Sequence, residues 1–229
     1  MVGNNDDILK VGNKAIALSG GTLMGKSDFT PEGASSAVAF IIDEVKDLPK
    51  GASSFKQNLL FSLTYLYKTI ANPSVCIDPN PRSAVVQEKV CTVKDISLSN
   101  QGAPVAVTKV EQDITSTRLL FKIYIQNLGK GNIIPSDKVD ISADPNPNTG
   151  YGWGNLDNVA YSVKLGSEDI TAGCKPEGGV VKLVNGKGYI FCEKGNVDKI
   201  TSIYTAPLNI ILTYGYSTTE SKEIEVIKI

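Results

Sequence analysis

The chain reads LTYLY at 63–67 and LTYGY at 212–216. Widened, LTYLYKTIANPSVCI (63–77) laid on LTYGYSTTESKEIEV (212–226) keeps Leu, Thr, Tyr, Tyr and the following Thr in register, and Val75 and Ile77 fall on Ile224 and Val226. Both windows alternate side chains, pass through a polar stretch (KTIANP, STTESK) and alternate again. That pattern fits a strand, a short turn and a returning strand, with β-branched and aromatic residues in place. Self-similarity at long spacing is a mark of a repeated unit. The reading is two related β-domains, 1–100 and 101–229, with the boundary near 99–104.

The rest of the chain supports an all-β class. Strand-like runs include SAVAFIIDEV (36–45), NLLFSLTYLYKT (58–69), KVCTVKDISL (89–98), VAVTKVEQDI (105–114), TRLLFKIYIQN (117–127) and NVAYSVKL (158–165). FKIYIQN and EIEVIKI alternate strictly, as half-buried antiparallel strands do. In VKLVNGKGYIF, Asn185-Gly186 sits between two such runs, a strong short-range hairpin signal. No amphipathic helix of ten or more residues is evident. Many short strands with regular turns predict a sandwich or barrel. Only 62 residues precede LTYLY, enough for three or four strands. A seven-strand sandwich takes about 100 residues. Domain one therefore reads as short of its opening strands, which an upstream segment or a neighbouring subunit would supply by strand addition. The alternative is a smaller sandwich in which KVCTVKDISL folds back to fill the gap.

Composition excludes much chemistry. The 229 residues contain no histidine, so serine–histidine and cysteine–histidine nucleophile systems and histidine-ligated metal sites cannot form. Net charge is −1, from 23 basic and 24 acidic residues without blocks, so no basic face points to nucleic acid. The longest apolar runs, AVAFII and PLNIIL, fall far short of the roughly 18 residues of a membrane span. The opening MVGNNDDILK has no apolar signal core. Either export information lay in a missing N-terminal segment or the protein is cytosolic; an exterior location would imply attachment through a segment absent from this chain.

Cys76 and Cys91 lie in the first half, Cys174 and Cys192 in the second. Of the three possible pairings, the consecutive one keeps each bridge within a local excursion and is the one expected. The alternative is four buried free thiols. Two bridges suit an oxidising compartment.

Three motifs tempt. GGTLMGKS (20–27) matches a nucleotide phosphate loop. Such a loop delivers phosphate to the N-terminus of a following helix, and here Pro31 and Gly33 fall inside its first two turns. The expectation is a turn and no nucleotide. DPNPNTG (144–150) is faintly like a calcium loop, but its glycine comes one place late and Asn155 stands where a bidentate glutamate belongs. Turn residues explain it, as they do DPNP at 78–81. GYGWG (150–154) holds the only tryptophan, Trp153, beside Tyr151. Exposed aromatics can stack on sugars or anchor a partner, though Trp153 folded back as a lid is the plainer expectation.

Three stretches, VCIDPNP…KVCTVKDISLSNQGAPVAVTKVEQDI, RLLFKIYIQNLGKGNIIP and PLNIILTYGYSTTESKEIEVIKI, resemble uncharacterised archaeal surface proteins with tandem immunoglobulin-like domains. FKIYIQNLGKG also resembles the second strand and turn of the cell-adhesion-related (CARDB-like) sandwich domains of prokaryotic exported proteins. The resemblance implies two tandem immunoglobulin-like antiparallel β-sandwich domains, the first incomplete, in an extracellular and membrane-tethered protein. It implies no catalytic residue and no cofactor. The expected partners are other surface proteins or copies of the chain itself, with a carbohydrate-binding module at 150–154 as the alternative.

Overall fold

The structure, a computed structural model, describes residues 7–12, 14–16, 22–26, 29–80, 89–115, 117–139, 156–197 and 200–228. Among them the chain forms fourteen strands and no α-helix. β1 (Leu9–Val11), β2 (Ile42–Val45), β3 (Ser54–Ala71) and β4 (Ser74–Ile77) come first. β5 (Ile96–Ser97), β6 (Val105–Ile114), β7 (Leu119–Asn127) and β8 (Asn132–Ile134) follow. β9 (Asn158–Leu165), β10 (Glu168–Asp169), β11 (Cys174–Lys175), β12 (Val180–Lys182), β13 (Lys187–Lys194) and β14 (Tyr204–Ile227) complete the order. The fold is all-β and its paired strands are antiparallel, as the alternation predicts.

Two sheets face each other. One runs β10-β9-β14-β3, with β12 also on β9 and with β4 and β8 also on β14; the other runs β11-β13-β7-β6-β5. The core between them takes Val163, Leu208, Ile210, Leu212 and Tyr214 from the first and Val107, Val110, Phe121, Ile123 and Ile190 from the second. β7 shows the strict alternation that places one face inward. β6 changes phase midway: Val105 and Val107 face the core, then Val110, Gln112 and Ile114, across a register shift between Val107 and Lys109. One extra residue on a strand does this, as a β-bulge. Asn185 and Gly186 adopt the positive φ angles, 52° and 73°, that a tight hairpin turn needs, and Val184 and Lys187 bridge it.

The paired phrases belong to one ladder, and this corrects their reading as copies in separate sandwiches. Tyr65 lies opposite Tyr216, and Tyr67 opposite Tyr214. Neither polar stretch turns. β14 runs unbroken through STTESK. β3 and β4 run in one direction along β14, with Leu208 N donating to Pro73 O at 2.8 Å in the gap between them. Neither KTIANP nor STTESK carries the Asn-Gly type of pair a tight reversal requires, and their Thr, Ile and Ser residues continue the alternation. Pro73, lacking an N–H, interrupts the line only locally, on a strand at the sheet edge where proline is tolerated. The expected boundary near 99–104 therefore falls between strands that pair and between residues of one core: Ala71, Val75 and Ile77 pack with Phe121 and Leu212.

Two expected strands are shorter. Of 36–45 only β2 is paired, and of 89–98 only β5. Apart from Leu98 N, which donates to Thr108 O at 2.9 Å, the remainder joins no ladder among the described residues, and alternation without a partner does not make a strand. Past Ser217 the described pairing of β14 is with β3 alone, so the two form a projecting ribbon. Its inner face is closed by a satellite cluster of Val11, Leu59, Phe40, Phe61 and Ile224.

Candidate functional site

β3 is the last strand of its sheet, so one edge of this 18-residue strand carries no ladder among the described residues. Exposed edges are pairing templates, which proteins blunt with charges, prolines, bulges or brevity. From Gln57 to Tyr67 the sequence QNLLFSLTYLY contains no charge and no proline, and the pairing with β14 has no register shift. On the face turned away from the core, Leu60, Leu66 and Ile70 are 39%, 54% and 52% exposed, and Leu63 is 48% exposed. The strand is long, straight in register, apolar and, among the described residues, unpaired along one edge.

Four tyrosines hold it extended. Tyr65 and Tyr216 have ring centroids 5.9 Å apart, as do Tyr67 and Tyr214. The hydroxyls of Tyr67, Tyr214 and Tyr216 reach the second sheet and its turns. Val105 N donates to Tyr214 Oη at 3.1 Å, and Thr69 Oγ1 donates to Val105 O at 2.7 Å. Gly131 N donates to Tyr216 Oη at 2.8 Å, and that hydroxyl donates to Asn127 Oδ1 at 3.1 Å. Tyr67 Oη donates to Gly102 O at 3.3 Å. Burial holds the Tyr214 phenol well above its ordinary pKa. Burial, then the neighbouring Tyr216 and Tyr67, also raise Tyr65. An edge fixed in this way loses little freedom when it takes up a partner.

The outer face of the second sheet carries an aromatic patch. Tyr189 lies opposite Tyr124 on neighbouring strands and is 55% exposed. Lys122 Nζ sits 5.0 Å from the Tyr124 ring centre and 4.7 Å from that of Tyr189. Lys109 bonds Asp95 and Glu111, each at 2.8 Å, and Tyr124 Oη donates to Glu111 Oε2 at 2.9 Å. Hydrogen bonds to Asp95 and then Glu111 raise the Lys109 pKa. The lysines are thus engaged by carboxylates and ring faces, and the patch offers aromatic area more than free charge.

The cysteines bond as Cys76–Cys91 and Cys174–Cys192, with S–S distances of 2.01 and 1.99 Å. Cys174 and Cys192 are opposite one another in the β11–β13 register. Cys76, on β4, is also clasped by Gln112 of the facing sheet, whose amide accepts from Cys76 N at 3.3 Å and donates to Cys76 O. Two disulfides fit a non-cytoplasmic, oxidising compartment.

Among the phosphate-loop residues, 22–26 are described. Ala34 N returns to Met24 O at 2.9 Å and Gly33 N to Thr30 O at 3.0 Å, and 29–41 form no helix to receive a phosphate. In the first DPNP, 78–80 are described: Asn80 N donates to Asp78 Oδ1 at 2.9 Å, a local side-chain turn, and the buried Asp78 carboxylate pairs with Lys89 at 2.7 Å. Tyr151, Trp153 and the DPNPNTG stretch lie outside the described residues. Among the described residues no group of three Cys, Asp or Glu side chains is placed to hold a metal, and no helix is long and apolar enough to cross a membrane. Sequence reasoning missed that the open edge belongs to β3. The signal available was the uncharged run 57–67 itself. No protein family, curated protein or solved structure matches the chain.

Proposed function

We propose that the chain is a non-enzymatic extracellular component of a cell surface or surface filament, acting through protein–protein contacts. The observation that carries this reading is the β3 edge, an 18-residue strand with an uncharged centre and four exposed apolar side chains. Strand addition uses such an edge: main-chain bonds supply affinity and alternate side chains supply selectivity. The two disulfides support an exterior location. In the finer fold reading, the facing sheets are an immunoglobulin-like sandwich to which 54–77 contributes its edge, and the projecting ribbon is the contact arm.

The test is surface labelling and envelope fractionation in the native cell, comparing the parent with the double variant Leu60→Lys, Leu66→Lys. The parent is expected to be labelled by a membrane-impermeant reagent and recovered in high-mass complexes. The variant is expected to be released from them. Recovery of the parent from the cytosol with reduced cysteines, or complexes that survive the double substitution, overturns the reading. A carbohydrate-binding role, which the sequence suggests for the 150–154 loop, is the second reading, and the exposed Tyr189–Tyr124 patch is the observation that favours it. Glycan-array binding lost in Tyr189→Ala would establish that role.

A further inference from the structure

We propose that β3 pairs with β3 of a second copy of this chain, antiparallel, about a two-fold axis through Leu63. The inference rests on reading the chain as a contact protein and names its partner. Along β3, alternate residues turn their backbone groups toward β14, and the others turn theirs toward the open edge. Antiparallel partners either exchange hydrogen bonds or both do not, so in a self-pair the facing residues share parity. The axis must then pass through a residue rather than between two, which leaves few registers.

The sequence selects among them. Reading outward from Leu63, the flanking residues match in kind: Ser62 with Thr64, Phe61 with Tyr65, Leu60 with Leu66, Leu59 with Tyr67. On the outer face Leu60 lies against Leu66 of the other copy and Asn58 against Lys68. On the inner face Phe61 meets Tyr65, an aromatic cross-strand pair of the favoured kind. No two lysines oppose each other. Shifting the axis to Ser62 sets Lys56 against Lys68, a like-charge pair, and shifting it to Thr64 sets Leu60 against Lys68. Leu63 is the centre that matches residues in class and avoids both faults.

The architecture permits this register. The sandwich packs on the β14 segment that pairs with residues beyond about Thr64, while 54–62 lie on the projecting ribbon. An axis at Leu63 therefore puts the two sandwiches at opposite ends and lays each ribbon beside the other copy's sandwich. About 15 residues pair, roughly 50 Å of ladder, and two open edges close each other. An isologous contact of this kind yields a closed dimer rather than an open fibre.

Cysteine cross-linking in the intact chain tests the register, because all four native cysteines are already bonded. In Leu63→Cys the new thiols face each other at about 4.5–5.5 Å between Cα atoms, inside the disulfide range of about 4.4–6.8 Å. The expected result is a dimeric parent by light scattering, and conversion of most Leu63→Cys protein to a covalent dimer on mild oxidation. Leu60→Cys alone should stay uncrosslinked, whereas Leu60→Cys with Leu66→Cys should crosslink. Leu63→Asp sets two carboxylates face to face and should weaken the dimer at least about tenfold, with the melting curve of the fold retained. A parent monomeric at 100 µM (roughly a hundred-fold above a micromolar dissociation constant), or crosslinking by Leu60→Cys alone, overturns the inference. If cross-linking fails while Leu60→Lys, Leu66→Lys still releases the protein from envelope complexes, only the second-copy partner falls. If both fail, the contact reading falls with it.

Discussion

Tyr214 has no exposed surface, yet its hydroxyl meets Val105 N and lies 3.0 Å from Thr69 Oγ1, which itself bonds Val105 O. One side chain thus satisfies a buried backbone amide at the start of β6 while its ring fills the core. Tyr214→Phe removes the oxygen and leaves the amide desolvated, at a cost of about 1–3 kcal/mol. A melting point several degrees lower checks this. Tyr216→Phe should cost less, because Gly131 and Asn127 sit where water can replace the hydroxyl. The same burial makes stability sensitive to alkali. Tyr214 keeps its proton in the fold above the ordinary tyrosine pKa, near 10, at which the unfolded chain ionises. Above that pH the unfolded state holds fewer protons than the native state, so stability is full below about pH 10 and falls as pH rises toward the raised native value. Tyr65 and Tyr161, both raised by burial, act in the same direction. Denaturant melts from pH 8 to 11 should show this loss, shallower in Tyr214→Phe; an unchanged slope would contradict the account.

At the scale of the element, one position separates LTYLY from LTYGY, and the two residues face each other: Leu66 opposite Gly215. Leu66 is on the edge strand and exposed, so a large side chain there meets solvent or a partner. Gly215 is on the central strand, paired also with Ile134 of β8, and a Cβ there would land against Ile134 and Val139. Gly215→Leu, which makes the two phrases identical, should therefore overpack this layer and cost at least about 1–3 kcal/mol. Leu66→Gly should cost less, within about 1 kcal/mol, mainly through strand entropy. Equal losses in paired denaturant titrations would contradict this. The contrast shows what the sequence could and could not say. Alternation located 105–114 and 158–165 to the residue, and Asn185-Gly186 located a turn, because these are local properties. Alternation assigns a strand's faces but not its neighbour, since any strand of matching pattern can pair with it. Hence the repeat was visible and its meaning was not: two similar strands arise when each must pack tyrosines on the other. For the site, the openness of an edge depends on topology, so 57–67 became legible as an edge only once β3 was seen at the end of its sheet.

For the whole molecule, the first hundred residues and the rest depend on each other through β14. Its inner face, Leu208, Ile210, Leu212, Tyr214 and Tyr216, is fully or almost fully buried, and one entire side of its ladder is supplied by 54–77. Removing that side exposes a row of backbone groups 24 residues long on the central strand, and strips Ala71, Val75 and Ile77 from the core. It also takes away Cys76, so the buried Gln112 amide loses the backbone groups it clasps. A fragment of 101–229 should consequently fail to fold cooperatively, even with Cys174–Cys192 contributing about 3 kcal/mol by restricting the unfolded chain. A fragment of 1–100 should likewise hold only the small cluster around Leu59 and Phe61. Mixed under oxidising conditions, the two fragments should recover one cooperative melt, because the β3–β14 ladder is their shared interface. Separate expression, circular dichroism and a mixing titration measure this. If 101–229 melts alone as sharply as the full chain, the halves are independent domains after all, and the ladder between LTYLY and LTYGY contributes little to the fold.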